Sequence, residues 1–344
     1  MSRELRAERA PAAASADAGP SQGRRTVLKA AAALGVLAAP AIVRAQATPA
    51  IRIGFWPVAS GLPFFVAMDK GYFKEAGLNV QALKFASPQQ VTEAILAGRA
   101  EGSANGTASA ALAIGEIAQP GLVKIFCTNP TNAKYVLDEF IVARDSPFKS
   151  IAELKGRNIG CGPGLQNVVL AKAVLERAGA TGARVVELPI GQHVAAIAAG
   201  QLDACYTLEP TGTVGRLNGT TRTLEVGVIA RYVLGDPMAP WHGGSASLSS
   251  EFIGRHADVA RKYIAAYRRG VELVKTDPTQ ARASLKGYTA IEGALTAEVP
   301  MSDYQFSTEF KPADIAHFQK YFDLFSEKGV FSRRVLVDSM LYKG

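Results

Sequence analysis

The chain has 344 residues, of which 48% are hydrophobic and 20% charged; 38 Lys and Arg stand against 30 Asp and Glu, a formal charge of +8. This length predicts about two domains or lobes with enough apolar residues for folded cores, which excludes a globally disordered chain. Three Cys in this length exclude a small disulfide-stapled fold. A positive charge is typical of proteins that bind nucleic acid or anionic membranes, and its position along the chain decides whether either applies.

The first 47 residues have the pattern of a secretory signal. Arg24-Arg25 precedes an uncharged stretch at 30–43, and Ala45-Gln46-Ala47 supplies small residues at a cleavage site. The paired arginines resemble the twin-arginine (Tat) export signal. The uncharged stretch is shorter than the roughly 20 residues of a membrane-spanning helix, although retention as an uncleaved anchor is the alternative. We predict cleavage after Ala47 and a periplasmic location.

This signal also accounts for half of the positive charge. Residues 1–47 hold seven Lys and Arg and three Asp and Glu, a net of +4. The remaining 297 residues hold 31 bases and 27 acids, again a net of +4, with no block of Lys and Arg. The sequence therefore predicts a soluble mature protein with no nucleic-acid partner.

From Ile51 onward, short apolar runs alternate with stretches of helical spacing. The predicted strands are Ile51–Phe55, Asn79–Phe85, Val123–Thr128, Phe140–Ala143, Asn158–Cys161, Arg184–Leu188, Ala204–Thr207 and Leu224–Ala230. The predicted helices are Leu62–Lys70, Pro88–Ala97, Ala108–Ile117, Ile151–Lys155, Asn167–Ala178, Val194–Ala199, Glu251–Thr276 and Pro312–Lys328. Strands separated by helices of this length are typical of βαβ units and largely parallel sheets.

Two motifs recur in the same order at nearly the same offset. The sequence IGFWP at 53–57 returns as IGCGP at 159–163, and the pattern QxxxAIxAG at 90–98 returns at 192–200. The repeat predicts two lobes of similar βαβ build, after which the chain returns to the first lobe. The predicted division is a signal at 1–47, the first part of lobe one at 48–143, lobe two at 144–235, and the return to lobe one with the C-terminal helices at 236–344.

Several segments match a known family in order and spacing. They are Gly54–Ser60, Phe64–Val80 (with DKGYF and AGLNV), Leu96–Gly106, Ser150–Gly156 (SIAELKG), Ala199–Ala204 and Leu208–Pro210. Over about 51–335 the chain resembles a periplasmic substrate-binding protein of an ABC transporter, of the nitrate/sulfonate/taurine type, a superfamily that includes binders of thiamine-pyrimidine precursors. The resemblance implies a two-lobed α/β fold of type II, each lobe a mostly parallel sheet flanked by helices, with the ligand cleft between the lobes.

The function that the resemblance implies is the capture of a small organic solute, sulfonate- or taurine-like or related, by a monomer. The solute would be delivered to an ABC permease and ATPase in the inner membrane. A pyrimidine or aromatic-acid ligand, or the feeding of a sensor, are the alternatives. The pyrimidine-synthesising enzymes of this fold carry a clustered Cys motif that the chain lacks. The motifs HExxH and CxxC are absent from the sequence, and GxSxG occurs only at 19–23, ahead of the predicted cleavage site. We therefore predict no enzymatic activity and no cofactor.

The cleft between the lobes is the predicted ligand site, because ligands bind beyond the carboxyl ends of strands in open α/β sheets. Candidate ligand-binding residues are Trp56, Ser60, Gly61, Asn105, Thr107, Thr128, Gly164, Gln166, Asn167, Gln192, Glu209, Trp241 and His242. The loop at 162–167 combines glycines with a helix start, which suits an anion. His193 and His242 are far apart in the sequence and have no Cys or carboxylate neighbours at ligand spacing, so no metal site is predicted.

Glu209 has more than one possible role at this stage. Its carboxylate could bind an amine or ring N–H of the ligand, or it could balance Arg216 or Arg231. The loops that the repeat matches, 56–63 with 162–167 and 105–107 with 207–210, supply no clamp of Arg or Lys. This favours an uncharged or zwitterionic organic molecule over a simple inorganic anion.

Overall fold

The computed structural model describes residues 49–291 and 293–344, so the predicted signal at 1–47 lies outside the described residues. The strands are β1 (Ala50–Phe55), β2 (Asn79–Lys84), β3 (Gly102–Ala108), β4 (Val123–Thr128), β5 (Asp138–Ala143), β6 (Asn158–Cys161), β7 (Arg184–Glu187), β8 (Ala204–Leu208), β9 (Thr221–Val226), β10 (Gly244–Ser249) and β11 (Gln305–Phe306). The helices are α1 (Leu62–Asp69), α2 (Tyr72–Glu75), α3 (Pro88–Leu96), α4 (Ser109–Ala118), α5 (Leu165–Arg177), α6 (His193–Ala198), α7 (Thr211–Leu217), α8 (Ser250–Arg255), α9 (Ala257–Thr276), α10 (Pro278–Arg282), α11 (Pro312–Glu327) and α12 (Val337–Met340).

Over these residues the strands form two mixed sheets flanked by helices. The first sheet has the order β11-β4-β10-β3-β1-β2, and the second has the order β7-β6-β8-β5-β9. β1 runs parallel to β2 and β3, and β6 runs parallel to β7 and β8. This arrangement confirms the predicted two-lobed α/β fold class.

Each sheet also contains a strand that the chain forms just after crossing over from the other sheet. β5 pairs antiparallel with β8 and β9, although the predicted boundary at 143/144 assigned this segment to lobe one. β10 lies antiparallel between β3 and β4 of the first sheet. The sheets are therefore mixed rather than mostly parallel, because a strand that enters after a crossing arrives from the opposite end of the sheet. Chain order alone cannot reveal this exchange.

Two predicted elements end at different residues from those expected. The predicted strand Leu224–Ala230 is β9 at Thr221–Val226, and it is followed by a π-helical segment at Ile229–Leu234. The predicted helix Glu251–Thr276 is divided at His256 into α8 and α9. Apolar spacing continues through both breaks, so the sequence pattern gives no sign of them.

β3 and β10 were missed because they consist of small residues rather than β-formers. All seven residues of β3 are buried, and a Cβ atom added at Gly102 would lie 2.1 Å from the carbonyl oxygen of Ser247 on β10. The close approach of the two strands requires a side chain no larger than hydrogen at this position. Packing, and not β propensity, therefore selects the sequence of β3.

The largest apolar cluster includes side chains from both sheets and from α11. It joins Ile125 of β4, Phe140 of β5 and Ile159 of β6 to Phe318 and Phe322 of α11. A second cluster packs α1 and α9 against the first sheet. Among the described residues, no helix is both long enough and apolar enough to cross a membrane.

Candidate functional site

The carboxyl-terminal edges of the two sheets face each other. The backbone N–H of Ala59, after β1, donates to the carbonyl oxygen of Glu209, after β8, at 2.9 Å. A Cβ atom added at Gly162, after β6, would lie 3.4 Å from the Trp56 ring. The loops that follow β1, β6 and β8 thus meet across a closed cleft.

The lobe-one residues of the cleft are buried polar side chains at the ends of β3 and β4. The Asn105 side chain accepts from the Tyr267 hydroxyl at 2.7 Å and donates to the Cys127 carbonyl, so its amide is used within the lobe. Thr128 Oγ1 lies 3.0 Å from His242 Nδ1. These contacts tie the Asn105 amide to Tyr267 and Cys127 and connect Thr128 with His242.

In the second lobe the loop before α5 brings three candidate residues together. Gly164 has φ +103°, which favours glycine, and its N–H donates to the Glu187 carboxylate at 2.9 Å. Asn167 Nδ2 donates to the Pro163 carbonyl of the same loop. Gln166 instead extends into the first lobe, where its Oε1 accepts from the Ala110 N–H at 3.0 Å. The helix start predicted to attract an anion thus already holds a carboxylate of the protein.

Glu209 is fully buried and paired within its own lobe. Its carboxylate accepts from Arg216 Nη2 at 2.9 Å and from the Thr213 N–H at 2.9 Å. Arg216 also binds Glu139, whose pKa rises to about 8 because burial and the charge of Glu209 oppose its ionisation. Of the roles left open for Glu209, the contacts match the balance of Arg216.

The remaining candidates differ in their surroundings. Trp56 and Trp241 are each 2% exposed, and the Trp241 ring packs edge-on against Tyr321 of α11. Ser60 is buried beside Gly106, where a Cβ atom would lie 2.7 Å from Ser60 Oγ. Gly61 and Thr107 are buried in the same part of lobe one. Gln192, by contrast, is exposed before α6.

Several buried polar atoms around the cleft have no hydrogen-bond partner among the described residues. They belong to the side chains of Ser60, Thr107, Asn129, Thr131, Tyr206 and His242. Native proteins pair the great majority of buried polar groups, so such a set within one region marks surfaces that can bind a ligand. Thr131 and Tyr206 were not among the predicted site residues.

Tyr206 and Tyr321 are cleft residues that sequence reasoning missed. Tyr206 is 1% exposed in β8, and Tyr321 lies in the buried aromatic stripe of α11, with Phe318, Phe322 and Phe325. Burial raises the pKa of both hydroxyls well above the usual value, so both remain neutral. A hydroxyl within an otherwise apolar stripe needs a polar partner, and this was the available signal.

A groove runs along the mouth of the cleft between α3, α4 and the start of α5. One part, of about 220 Å³, is lined mainly by apolar residues that include Ala108, Ala111, Ile114 and Leu165. The adjoining part, of about 500 Å³, is lined by polar and acidic residues that include Glu93 and Glu187 of the two lobes. None of the described residues lining either part is Lys or Arg.

Burial shifts the pKa values of two titratable groups of the cleft, His242 and Asp138, in favour of their neutral forms. The pKa of His242 falls to about 4, because its ring is buried against Phe310 and Phe318. Burial raises the pKa of Asp138 to about 6, although Oδ2 accepts the Ile229 N–H at 2.9 Å. In the part of the chain that the structure describes, no group of three or more His, Cys, Asp or Glu could hold a metal ion.

The sequence of this chain matches the model of one protein family. The model of the family described as NMT1/THI5 like matches residues 59–281, which is 223 of the 344 residues. A comparison with curated protein sequences gave no match. The matched segment runs from the Ala59 loop of the cleft to α10, and so includes all of the second sheet.

Solved structures show the same fold. The aliphatic sulphonate binding protein SsuA from Escherichia coli is similar with a TM-score of 0.68 and 18% identity, over 86% of this chain and 92% of that chain. The alkanesulfonate-binding protein SsuA from Xanthomonas axonopodis pv. citri, bound to MOPS, gives 0.68 and 20%, over 86% and 99%. The desulfurization enzyme DSZB gives 0.60 and 13%, over 85% and 96%.

At these identities the likeness to solved structures establishes the fold alone, and the family rests on the sequence model. That model spans well over half of the chain and confirms the resemblance found in the sequence. The chain belongs to the NMT1/THI5-like family.

Proposed function

We propose that the protein is a solute-binding protein of an ABC importer, which encloses one small organic molecule between its lobes. The observation that carries this proposal is the pair of sheet edges that face each other and are joined by the Ala59–Glu209 backbone bond. Around them lie buried polar atoms that have no hydrogen-bond partner in the part of the chain that the structure describes. Ligand contacts made by both lobes would stabilise the closed form. The sulfonate-binding neighbours support transport as the role of this fold.

The chemistry of the cleft favours a ligand that carries no net negative charge. The first turns of α4, α5 and α7 are already occupied by Gln166, Glu187 and Glu209, respectively. Two of these caps are carboxylates, which would repel a further anion, and the described residues lining the groove provide no Lys or Arg. A zwitterion such as taurine, or a neutral molecule with N–H donors, suits this site better than nitrate does. A sulfonate- or taurine-like solute remains the class proposed from the sequence.

A thermal-shift screen followed by calorimetry tests the proposal. The panel contains taurine, ethanesulfonate, nitrate, 4-aminopyrimidine and benzoate, and a ligand at 100 times its Kd should add about 2.7 kcal/mol to the stability. Because Ser60 Oγ has no hydrogen-bond partner among the described residues, Ser60→Ala should weaken binding of the panel member that binds and leave the unfolding midpoint unchanged.

Ser103→Ala is the matched control, since this buried hydroxyl bonds Ser247 Oγ at 2.8 Å. It should lower the unfolding midpoint without changing the affinity. Binding that is insensitive to Ser60→Ala and lies outside the cleft in a crystal structure would contradict the proposal.

The described residues give no support to catalysis by a thiol. Burial raises the pKa values of Cys161 and Cys205 to about 12, and that of Cys127 still higher, so none supplies a thiolate near neutral pH. We therefore propose that the protein binds its solute without catalysing a reaction. Neighbouring genes for a permease and an ATPase, rather than for a receptor kinase, would support import over the feeding of a sensor.

Export through a twin-arginine signal cleaved after Ala47 is also part of the proposal. The pattern of Arg24-Arg25, an uncharged stretch and Ala-Gln-Ala supports it. Replacement of both arginines by lysine should leave the uncleaved protein in the cytoplasm, as measured by cell fractionation and mass spectrometry of the N-terminus. Unchanged export of the double variant would contradict this route.

A further inference from the structure

One buried side chain of the second lobe makes its hydrogen bonds outside that lobe. Gln166, the second residue of α5, is 7% exposed. Its Oε1 accepts from the Ala110 N–H at 3.0 Å and from the Tyr321 hydroxyl. Its Nε2 donates to the Gly243 carbonyl at 3.0 Å. A backbone N–H can only donate and a carbonyl oxygen can only accept, so these partners fix the orientation of the amide.

The start of α4 depends on this bond. Ala108 occupies the N-cap position and has no side-chain oxygen to accept from the first turn. The Ser109 N–H donates to the Gly243 carbonyl at 3.0 Å, and the Ala110 N–H donates to Gln166. A residue of lobe two thus supplies the cap that the sequence of lobe one lacks, and the two lobes share the Gly243 carbonyl as an acceptor.

Separation of the lobes must therefore break the bonds of Gln166. The Ala59–Glu209 backbone bond is a second, separate link between the lobes, made by different loops. We propose that Gln166 is a closure latch, a positioning residue that holds α4 of lobe one against α5 of lobe two before any solute is bound. The proposal rests on the proposed function only for the reason that the lobes close, which is to enclose a solute. The hydrogen bonds of the latch themselves involve no solute.

Hydrogen exchange of the full chain without added solute tests the latch. Gln166→Met keeps the length of the side chain and removes its hydrogen bonds. If the latch holds the lobes together, exchange of the Ala110 and Ala59 amides should both accelerate about tenfold, as expected for the loss of roughly one net hydrogen bond from the closed state. The radius of gyration from X-ray scattering should rise as well. A merely local role would accelerate Ala110 alone and would overturn the proposal.

Two further variants keep the test decisive. Asn167→Ala removes the neighbouring buried amide, whose bond stays within its own loop, and it should leave the Ala59 exchange rate unchanged. Tyr321→Phe removes one donor to Gln166 and should accelerate both amides by a smaller factor, which provides the readout if Gln166→Met does not fold. Acceleration of Ala59 by Asn167→Ala, or no effect of Tyr321→Phe on either amide, would contradict the latch. Because no solute is added, these outcomes are independent of the binding screen.

Discussion

At the scale of single residues, His242 shows how burial sets an ionisation state. Its ring is fully buried and its pKa falls to about 4, whereas the unfolded residue titrates near 6.5. Between these values the unfolded chain binds the additional proton, so stability present above pH 6.5 is lost as the pH falls towards 4. The difference corresponds to roughly 3 kcal/mol.

We expect His242→Asn to reduce this acid sensitivity. Asn can retain a hydrogen bond to Thr128 Oγ1 but cannot titrate, and the lost ring volume should lower stability at pH 7 by about 1–3 kcal/mol. Between pH 6.5 and 4.5 the variant should lose less stability than the parent does, as measured by urea unfolding at several pH values. The buried His193 is present in both proteins, so parallel pH curves would show that His242 is not the cause.

Glu139 has the opposite effect on the pH dependence of stability. Burial and Glu209 raise its pKa to about 8, against 4.5 in the unfolded chain, so stability falls as the pH rises from 4.5 through 8. Glu139→Gln removes the charge and should stabilise the protein at pH 8 relative to the parent, with a difference that shrinks towards pH 5. Thermal unfolding at both pH values measures this. Glu75→Gln, at an exposed carboxylate paired with Arg269, should show no such trend.

At the scale of elements, the packing of α9 on α1 depends on Gly270. A Cβ atom there would lie 2.2 Å from the Pro63 carbonyl, whereas a Cβ atom at Gly254 of α8 would meet nothing within 4 Å. Both positions are helical, so replacement by alanine gains up to about 1 kcal/mol of helix propensity at each. We expect Gly254→Ala to stabilise the protein and Gly270→Ala to destabilise it by about 1–3 kcal/mol through overpacking. Urea midpoints that move in the same direction for both variants would contradict this packing.

The elements that could be predicted are those whose own residues indicate whether the element is buried. β4 and β6 were placed at the observed residues, because apolar runs bounded by polar residues or Gly are typical of buried strands. β3 and β10 could not be predicted, since their small residues are required by close packing against the neighbouring strand and have no strong β propensity. The place of β5 in the second sheet depends on a crossover, which leaves no periodic signal.

The sequence could predict which loops lie at the facing sheet edges, but not which side chains in them are already hydrogen-bonded within the protein. The repeat and the rule for strand ends identified Ser60, Thr107 and Gln166, which lie at the facing edges. The sequence could not show that Asn105 is committed to Tyr267, a residue 162 positions away. Nor could it show that Gln192 is exposed. Partners distant in the chain decide which polar side chains remain free, and one sequence does not contain that information.

At the scale of the whole molecule, α11 fastens the second lobe to the first. It follows β11 of the first sheet, yet Lys320 donates to the Leu234 carbonyl and Lys328 pairs with Glu176 of α5 at 2.7 Å. The exposed ion pair adds little, whereas the aromatic stripe beneath it belongs to a cluster that includes residues of both sheets. The lobes therefore share one core, which predicts that they unfold together.

Phe322→Ala tests this coupling. Phe322 is 1% exposed and packs edge-on against Phe318 and Phe331, so its truncation should cost about 3–5 kcal/mol. If the core is shared, calorimetry should show a single transition at a lower temperature, with equal calorimetric and van't Hoff enthalpies. Exchange of the slowest amides of β1 and β6, one strand in each sheet, should then accelerate by the same factor, because both become accessible only on global unfolding. Two transitions, of which one keeps the parent temperature, would mean that each lobe has a core of its own and that α11 stabilises only one of them.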